Sequence, residues 1–250
     1  MRRIGVVTGA RSDWGILLPV VRAIRAAGDL ELRLVATGMH LVPAFGHTVD
    51  EIRADGFAID ATVETQLPGD SPEAIAGSLG RGTAKLAPVL AGLELDLLLL
   101  LGDRFETLAA ALAALPLGLP VAHIHGGELT EGLIDDPIRH CLTKLSHLHF
   151  PSTEEYARRI VQLGEEPWRV TVSGAPSLDK LAGARALPRT ELEQLVGMPL
   201  DRPTVLVTYH PVTLEHERAE ERIDGFLGAL SRAGCQAVFT APNADTRGLL

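Results

Sequence analysis

The feature that most narrows the fold is an alternation repeated along the chain. Short, almost wholly apolar runs, most ending in a glycine or a polar cluster, are separated by stretches with helical spacing. "RIGVVTG", "ELRLVATG", "FAIDATVE", "DLLLLLGD", "LPVAHIHGG", "HLHFPS" and "WRVTVSG" read as strands. "WGILLPVVRAIRAAG", with a kink or restart expected at Pro19, reads as a helix. So do "TVDEIRADG", "SPEAIAGSLGRGTAKLAPVLAGL", "RFETLAAALAALPLG", "DDPIRHCLTKLS" and "TEEYARRIVQLG". Helices between strands supply the crossovers that parallel pairing needs. Strands that are apolar throughout, rather than alternating, suit a sheet covered on both faces. The expected class is therefore α/β with a mostly parallel sheet. After "ALPRTELEQLVGMPLDRP", a helix plus linker, the runs "TVLVTYHP", "RIDGFLGALSRAG" and "CQAVFTAPNAD" begin a second unit. The expected division is residues 1–185 and 186–250, and the second part is thin for an independent domain.

In such sheets ligands bind beyond the carboxyl ends of the strands. Five polar clusters fall there: "TGARSD" (8–13), "GDRFE" (102–106), "HIHGGE" (123–128), "YHPVT" (209–213) and "PNAD" (242–245). Their equivalent placement suggests one cleft. Gly9 permits a tight turn, the next helix offers free N–H groups to an anion, and Arg11 adds a forked cation. The stretch is neither G-x-G-x-x-G nor G-x-x-x-x-G-K-[ST], so the dinucleotide and P-loop readings fail. An ordinary strand–helix turn is the equal alternative. Asp103 either caps the following helix or, with Arg104 and Glu106, lines the pocket.

His123 and His125 lie two apart and share a face if the strand continues. Gly126 and Gly127 bring backbone close, and Glu128, Glu131, Asp135 and Asp136 crowd nearby. Crowded, shielded carboxylates have acidities pushed apart, which supplies an acid and a base. H-x-H beside carboxylates also suits zinc or iron. Asp135 and Asp136 also suit capping of "PIRHCLTKL", with Pro137 in its first turn, and one Asp is expected for each job. His210 is expected at the end of the second unit's first strand, its loop fixed by Pro211; a lone histidine is more often structural, and a place at the mouth of the cleft shifts the reading toward function. His147 and His149 read as packing residues, Cys141 as core and "EHERAEER" as a solvated helix face.

The net charge of −9 argues against nucleic acid as a partner. Two cysteines far apart make neither a disulfide framework nor a zinc ribbon. The apolar run in "MRRIGVVTGARSD" is too short for a signal-peptide core, and "LELDLLLLLGDRFE" is too short to span a bilayer. A cytoplasmic protein with no membrane association is expected.

Through "TGARSDWG", "LLGDRFETLAAA", "HIHGGELTEGLIDDPIRHCLTKLSHLHF", "VSGAPSLD", "VTYHPVTLE" and "PNAD", in that order, the chain resembles the UDP-N-acetylglucosamine 2-epimerase family. The hydrolysing branch, which feeds sialic-acid-type sugar synthesis, is the nearer match. The resemblance implies two Rossmann-like, doubly wound domains of the GT-B type, with the second incomplete here. It implies a homo-oligomer, dimer or tetramer, and a reaction without metal or cofactor. UDP leaves C1 by anti-elimination while a base takes the C2 proton. Water then adds to the unsaturated sugar with inversion at C2, giving N-acetylmannosamine or an analogue. Carried over by position, Asp103 is one catalytic carboxylate, Asp135 or Asp136 a second, and His210 the histidine near the diphosphate. Arg11, Arg104 and Asn243 fall where the family contacts the nucleotide sugar. Many relatives carry Glu where this chain has His125, so either His125 or Glu128 takes that place or the substrate differs. Two other readings stand beside it: a metal-dependent hydrolase using His123 and His125, and a non-catalytic remnant that binds sugar nucleotide.

Overall fold

The computed structural model describes residues 1–69, 71–209 and 219–240. One compact unit comprises Met1–Gly69 and Glu73–Ala182. Its sheet is built from β1 (Arg2–Thr8), β2 (Leu30–Thr37), β3 (Ala61–Val63), β4 (Leu97–Leu101), β5 (Val121–Ile124) and β6 (Leu148–Phe150). All are parallel, in the order β3-β2-β1-β4-β5-β6. The crossovers and flanking helices are α1 (Arg11–Ala26), α2 (Val49–Ala54), α3 (Pro72–Gly92), α4 (Phe105–Ala114), α5 (Asp135–Leu145), α6 (Glu154–Gln162) and α7 (Pro176–Ala182). The order reverses between β1 and β4, the topological switch at which open α/β sheets form their crevice.

The apolar run of β4 explains why this sheet is buried on both sides. Leu99 and Leu101 enter one core cluster with Ile4, Trp14, Leu17 and Ile52. Leu98 and Leu100 enter the other with Val35, Leu86, Ala110 and Leu142. Successive side chains of a strand point to opposite faces, so a strand covered twice must be apolar at every position.

Several sequence expectations need correction. Pro19 neither ends nor restarts α1, which runs unbroken through it. Buried Trp14, Leu17, Leu18, Val21 and Ile24 hold one face of that helix to the sheet across the missing hydrogen bond. "WRVTVSG" forms no strand: Pro167–Arg169 is a 3-10 turn, and Val170 makes one isolated parallel bridge to His149. Helix α7 lies inside "SGAPSLDKLAG", where the sequence pattern predicts no helix. Cys141 is exposed on α5, whose buried side is Arg139, Leu142 and Thr143. His147 and His149 do serve structure: His147 Nδ1 accepts from Val121 N–H at 3.2 Å, and His149 is wholly buried in β6.

A second unit runs from Gly183 onward. It holds α8 (Arg189–Val196), β7 (Thr204–Val207), α9 (Ala219–Ala233) and β8 (Gln236–Phe239), with β7 and β8 paired in parallel. Among the described residues no helix is long and apolar enough to cross a membrane.

The loop after β5 fixes the position of α6. Gly127 has φ +79°, and a Cβ there would collide with the Tyr156 carbonyl and lie 3.0 Å from Ile160 Cγ1. Gly127→Ala should cost about 2–3 kcal/mol, from the left-handed backbone and the overpacking together, read as the loss of unfolding free energy in urea.

Candidate active site

The tips of β1, β2 and β4 close on one another first. Gly9 N–H donates to Asp13 Oδ2 at 3.2 Å, so a side chain from the first turn of α1 folds back under the turn. A Cβ on Gly9 would stand 3.3 Å from Glu106 Cβ, and one on Gly38 (φ +56°) 2.9 Å from both Glu106 Oε1 and Gly9 O. At Gly38 the left-handed backbone and the close approach to Gly9 O call for glycine, and at Gly9 a side chain would crowd Glu106. Buried Arg104 lies against Glu106, Nε to Oε2 at 3.3 Å, and its Nη2 reaches Met39 Sδ at 3.5 Å. Burial pushes the Asp13 carboxyl up to about 6, with Arg104 opposing and Glu106 adding to the rise. Arg11 is exposed on the first turn of α1. Beneath the β1 turn, fully buried His40 joins Thr8 Oγ1 (3.0 Å) to Thr48 Oγ1 (2.7 Å), and burial lowers its pKa to about 4.

The second half of the site comes from β4, β5 and β6. Gly102 (φ +74°) turns its carbonyl to accept from His123 Nε2 at 2.6 Å. Nε2 therefore carries the ring hydrogen. His123 is wholly buried, which lowers its pKa to about 4. The expectation that His123 and His125 share a strand face fails, because β5 stops at Ile124 and His125 adopts φ +65°. That left-handed residue turns its ring toward Glu128, Nδ1 to Oε1 at 2.5 Å. Ser152 Oγ, from the tip of β6, donates to the same Oε1 at 3.0 Å. Burial alone would raise Glu128, but His125, Ser152 and Arg139 outweigh it and hold the carboxyl below its ordinary range.

Arg139 ties these loops together. Its Nη2 bonds Asp103 Oδ2 and, at 2.8 Å, Thr130 Oγ1. Its Nη1 bonds Glu128 O at 3.1 Å and Asp136 Oδ1 at 3.5 Å. Asp103 does not cap α4, whose N-cap is Arg104 with no capping bond from its side chain. Burial lifts the Asp103 carboxyl above its ordinary range, while Arg139 and Arg104 restrain the rise and Glu128 adds to it. Nor does an aspartate cap α5, whose N-cap is Ile134 without a side-chain bond. Asp135 is its first residue, and Asp136 Oδ1 instead accepts from Thr130 N–H at 2.8 Å, bracing the loop before the helix.

The structure thus brings together Asp103, Glu128, His125 and Asp136 around Arg139, with Gly9, Asp13, Arg104 and Glu106 clustered at the neighbouring tips. His210 and Asn243 lie outside the described residues. Among the described residues no three His, Cys, Asp or Glu side chains are placed to hold a metal. Arg139, Asp13, Ser152 and His40 were missed in the sequence. The one available signal for Arg139 was its i, i+3 spacing from Asp136.

The buried histidines set a pH dependence. Unfolded histidine titrates near pH 6.5. Between there and about 4 the unfolded chain binds protons that folded His40 and His123 refuse. Their contribution is full above about pH 6.5 and is lost as pH falls toward 4. Asp13 has the opposite sign: raised from 3.8 to about 6, it favours the fold at low pH and loses that effect as pH rises through 6. His123→Asn should therefore lose less stability than the unchanged chain between pH 7 and pH 5, compared by urea unfolding at both; Asp13 cancels in that comparison.

Residues 22–249 match the family model described as UDP-N-acetylglucosamine 2-epimerase. The chain is 36% identical over all its 250 residues to the UDP-N,N'-diacetylbacillosamine 2-epimerase (hydrolyzing) of Legionella pneumophila, covering 66% of it. It is 37% identical over 250 residues to the GDP/UDP-N,N'-diacetylbacillosamine 2-epimerase (hydrolyzing) of Campylobacter jejuni, covering 65%. The chain thus spans slightly less than two thirds of the length of these relatives. A solved UDP-GlcNAc 2-epimerase of Methanocaldococcus jannaschii, in complex with UDP-GlcNAc and UDP, superposes with a TM-score of 0.80 at 17% identity, over 99% of this chain and 68% of that one. That likeness carries the expected Rossmann-like, GT-B-type fold class.

Proposed function

The chain belongs to the UDP-N-acetylglucosamine 2-epimerase family, and on that premise we propose hydrolysing 2-epimerisation of a UDP-2-acetamido sugar as its chemistry. The substrate is UDP-N-acetylglucosamine or a 2,4-diacetamido relative, and the products are UDP and N-acetylmannosamine or its analogue. The observation that supports this best is the pair Asp103 and Glu128. They stand beyond the tips of the neighbouring strands β4 and β5, joined through Arg139, which bonds the Asp103 carboxylate and the Glu128 backbone carbonyl, with acidities pushed in opposite directions. Carboxylates so arranged divide acid and base work between them.

In the proposed reaction a carboxylate takes the C2 proton. The C2–H electrons form the C1=C2 bond, and the C1–O bond breaks with its pair leaving on the diphosphate. Water then supplies the C1 hydroxyl, and C2 regains a proton from the opposite face. Asp103, His125, Glu128, Asp135, Asp136 and His210 are the candidates for proton transfer. Gly9, Arg11, Arg104 and Asn243 are the candidates for holding the nucleotide sugar, where backbone N–H groups and guanidinium stabilise a leaving diphosphate. The metal-hydrolase reading is weaker, because among the described residues His123 and His125 are not joined by a third His, Cys, Asp or Glu placed to hold a metal. A cytoplasmic homo-oligomer feeding sialic-acid-type synthesis completes the proposal.

Incubation with each UDP sugar in deuterated water, followed by NMR, tests it. The expected result is UDP release with one deuterium at C2 of a manno-configured product, and loss of about 10²–10⁴-fold in rate for Asp103→Asn. UDP release without C2 deuterium would reduce the activity to simple hydrolysis, and UDP binding without release would leave the non-catalytic remnant.

A further inference from the structure

Two carboxylates facing one crevice have an electrostatic problem. Each raises the other's affinity for a proton, and burial raises both, so one of the pair tends to stay protonated unless a cation is built in. We infer that Arg139 is a positioning residue that holds Asp103 and the Glu128 loop as one fixed pair, keeping both carboxylates available for proton transfer. The inference deepens the epimerase reading and takes its chemistry from it.

The geometry carries the argument. Arg139 is 4% exposed, and its guanidinium meets acceptors from three segments. Asp103 comes from the β4 turn, Glu128 O and Thr130 Oγ1 from the loop after β5, and Asp136 from the first turn of α5. A planar fork satisfies so many acceptors from a fixed direction, whereas an ammonium is a point charge. Each carboxylate is held by one oxygen. Asp103 Oδ2 faces Arg139, and Glu128 Oε1 takes both the His125 and Ser152 bonds. Both side chains stay partly exposed, 24% for Asp103 and 28% for Glu128, so each carboxylate keeps an open side.

The charged and titratable groups around this cation are Asp103 and Arg104 from the β4 turn, Glu128 and His125 from the β5 loop, Asp136 and His140 on its own helix, and His123 beneath. Arg139 pulls down the acidity midpoints of both Asp103 and Glu128.

Carboxyl ¹³C NMR titration of the full chain tests the assignment without requiring turnover. In Arg139→Gln the Asp103 midpoint should rise by about one pH unit or more. In Arg139→Lys the rise should be smaller, because charge is kept, while the Thr130 N–H exchanges faster, because the fork is lost. Ser152→Ala should move the Glu128 midpoint and leave Asp103 in place. An Asp103 midpoint in Arg139→Gln within a few tenths of its original value overturns the inference. If the glutamine variant does not fold, an Arg139→Lys chain with unchanged Thr130 exchange overturns it instead. On the deuterium-incorporation assay, Arg139→Lys should lower kcat with little change in KM. A shifted Asp103 in a chain that never epimerises supports the pairing and sinks the epimerase reading; an unshifted Asp103 in an active enzyme does the reverse.

Discussion

The parallel pairing of β1 with β4 is the constraint on which the site depends. Ile4, Gly5 and Val6 lie in register with Leu97, Leu98 and Leu99, and from that seam the chain builds outward in two directions. Strands β2 and β3 lie on one side, β5 and β6 on the other. Loops leaving β1 and β4 must therefore diverge from a shared origin, and a crevice opens between them for topological reasons. Side chains then decide what the crevice can do. Gly9 and Gly38 let three strand tips close around Glu106, and the β5 loop completes the other wall.

Burying ionisable groups at such a place is costly unless each has a partner or gives up its charge. Both solutions occur here. Arg104 sits against Glu106, and Arg139 against Asp103 and Asp136. His40 and His123 instead remain neutral at pH 7 and act as hydrogen-bonded props under the β1 and β4 turns. The polar layer at the strand tips is thus rigid below and partly open above, which is what positioning of reactive groups requires.

Much of this was legible in the residues. The apolar run of β4 announced a strand covered twice, and the polar clusters after β1, β4 and β5 marked the tips that converge. What was not legible depended on distant partners. Nothing local to Arg139 says that it will be buried against Asp103, 36 residues earlier. His125 alternates correctly with His123 in sequence, yet the strand ends one residue before it, and its left-handed backbone sends the ring elsewhere. Pro19 carried a valid local rule that packing of α1 overrode. Cys141 sits one position before buried Leu142, close enough to the apolar stripe to be mistaken for part of it.

The stretch from Val170 to Ser173 failed as a strand, but its position has a consequence of its own. Thr171 N–H donates to His149 O at 2.9 Å and Ser173 N–H to Pro151 O at 3.1 Å, so carbonyls on the outer border of β6 are already occupied. An outermost strand with free main-chain groups is a template onto which a foreign chain can add. Here the polypeptide shields that flank with its own backbone, too irregularly to extend the sheet and sufficiently to discourage intermolecular stacking there.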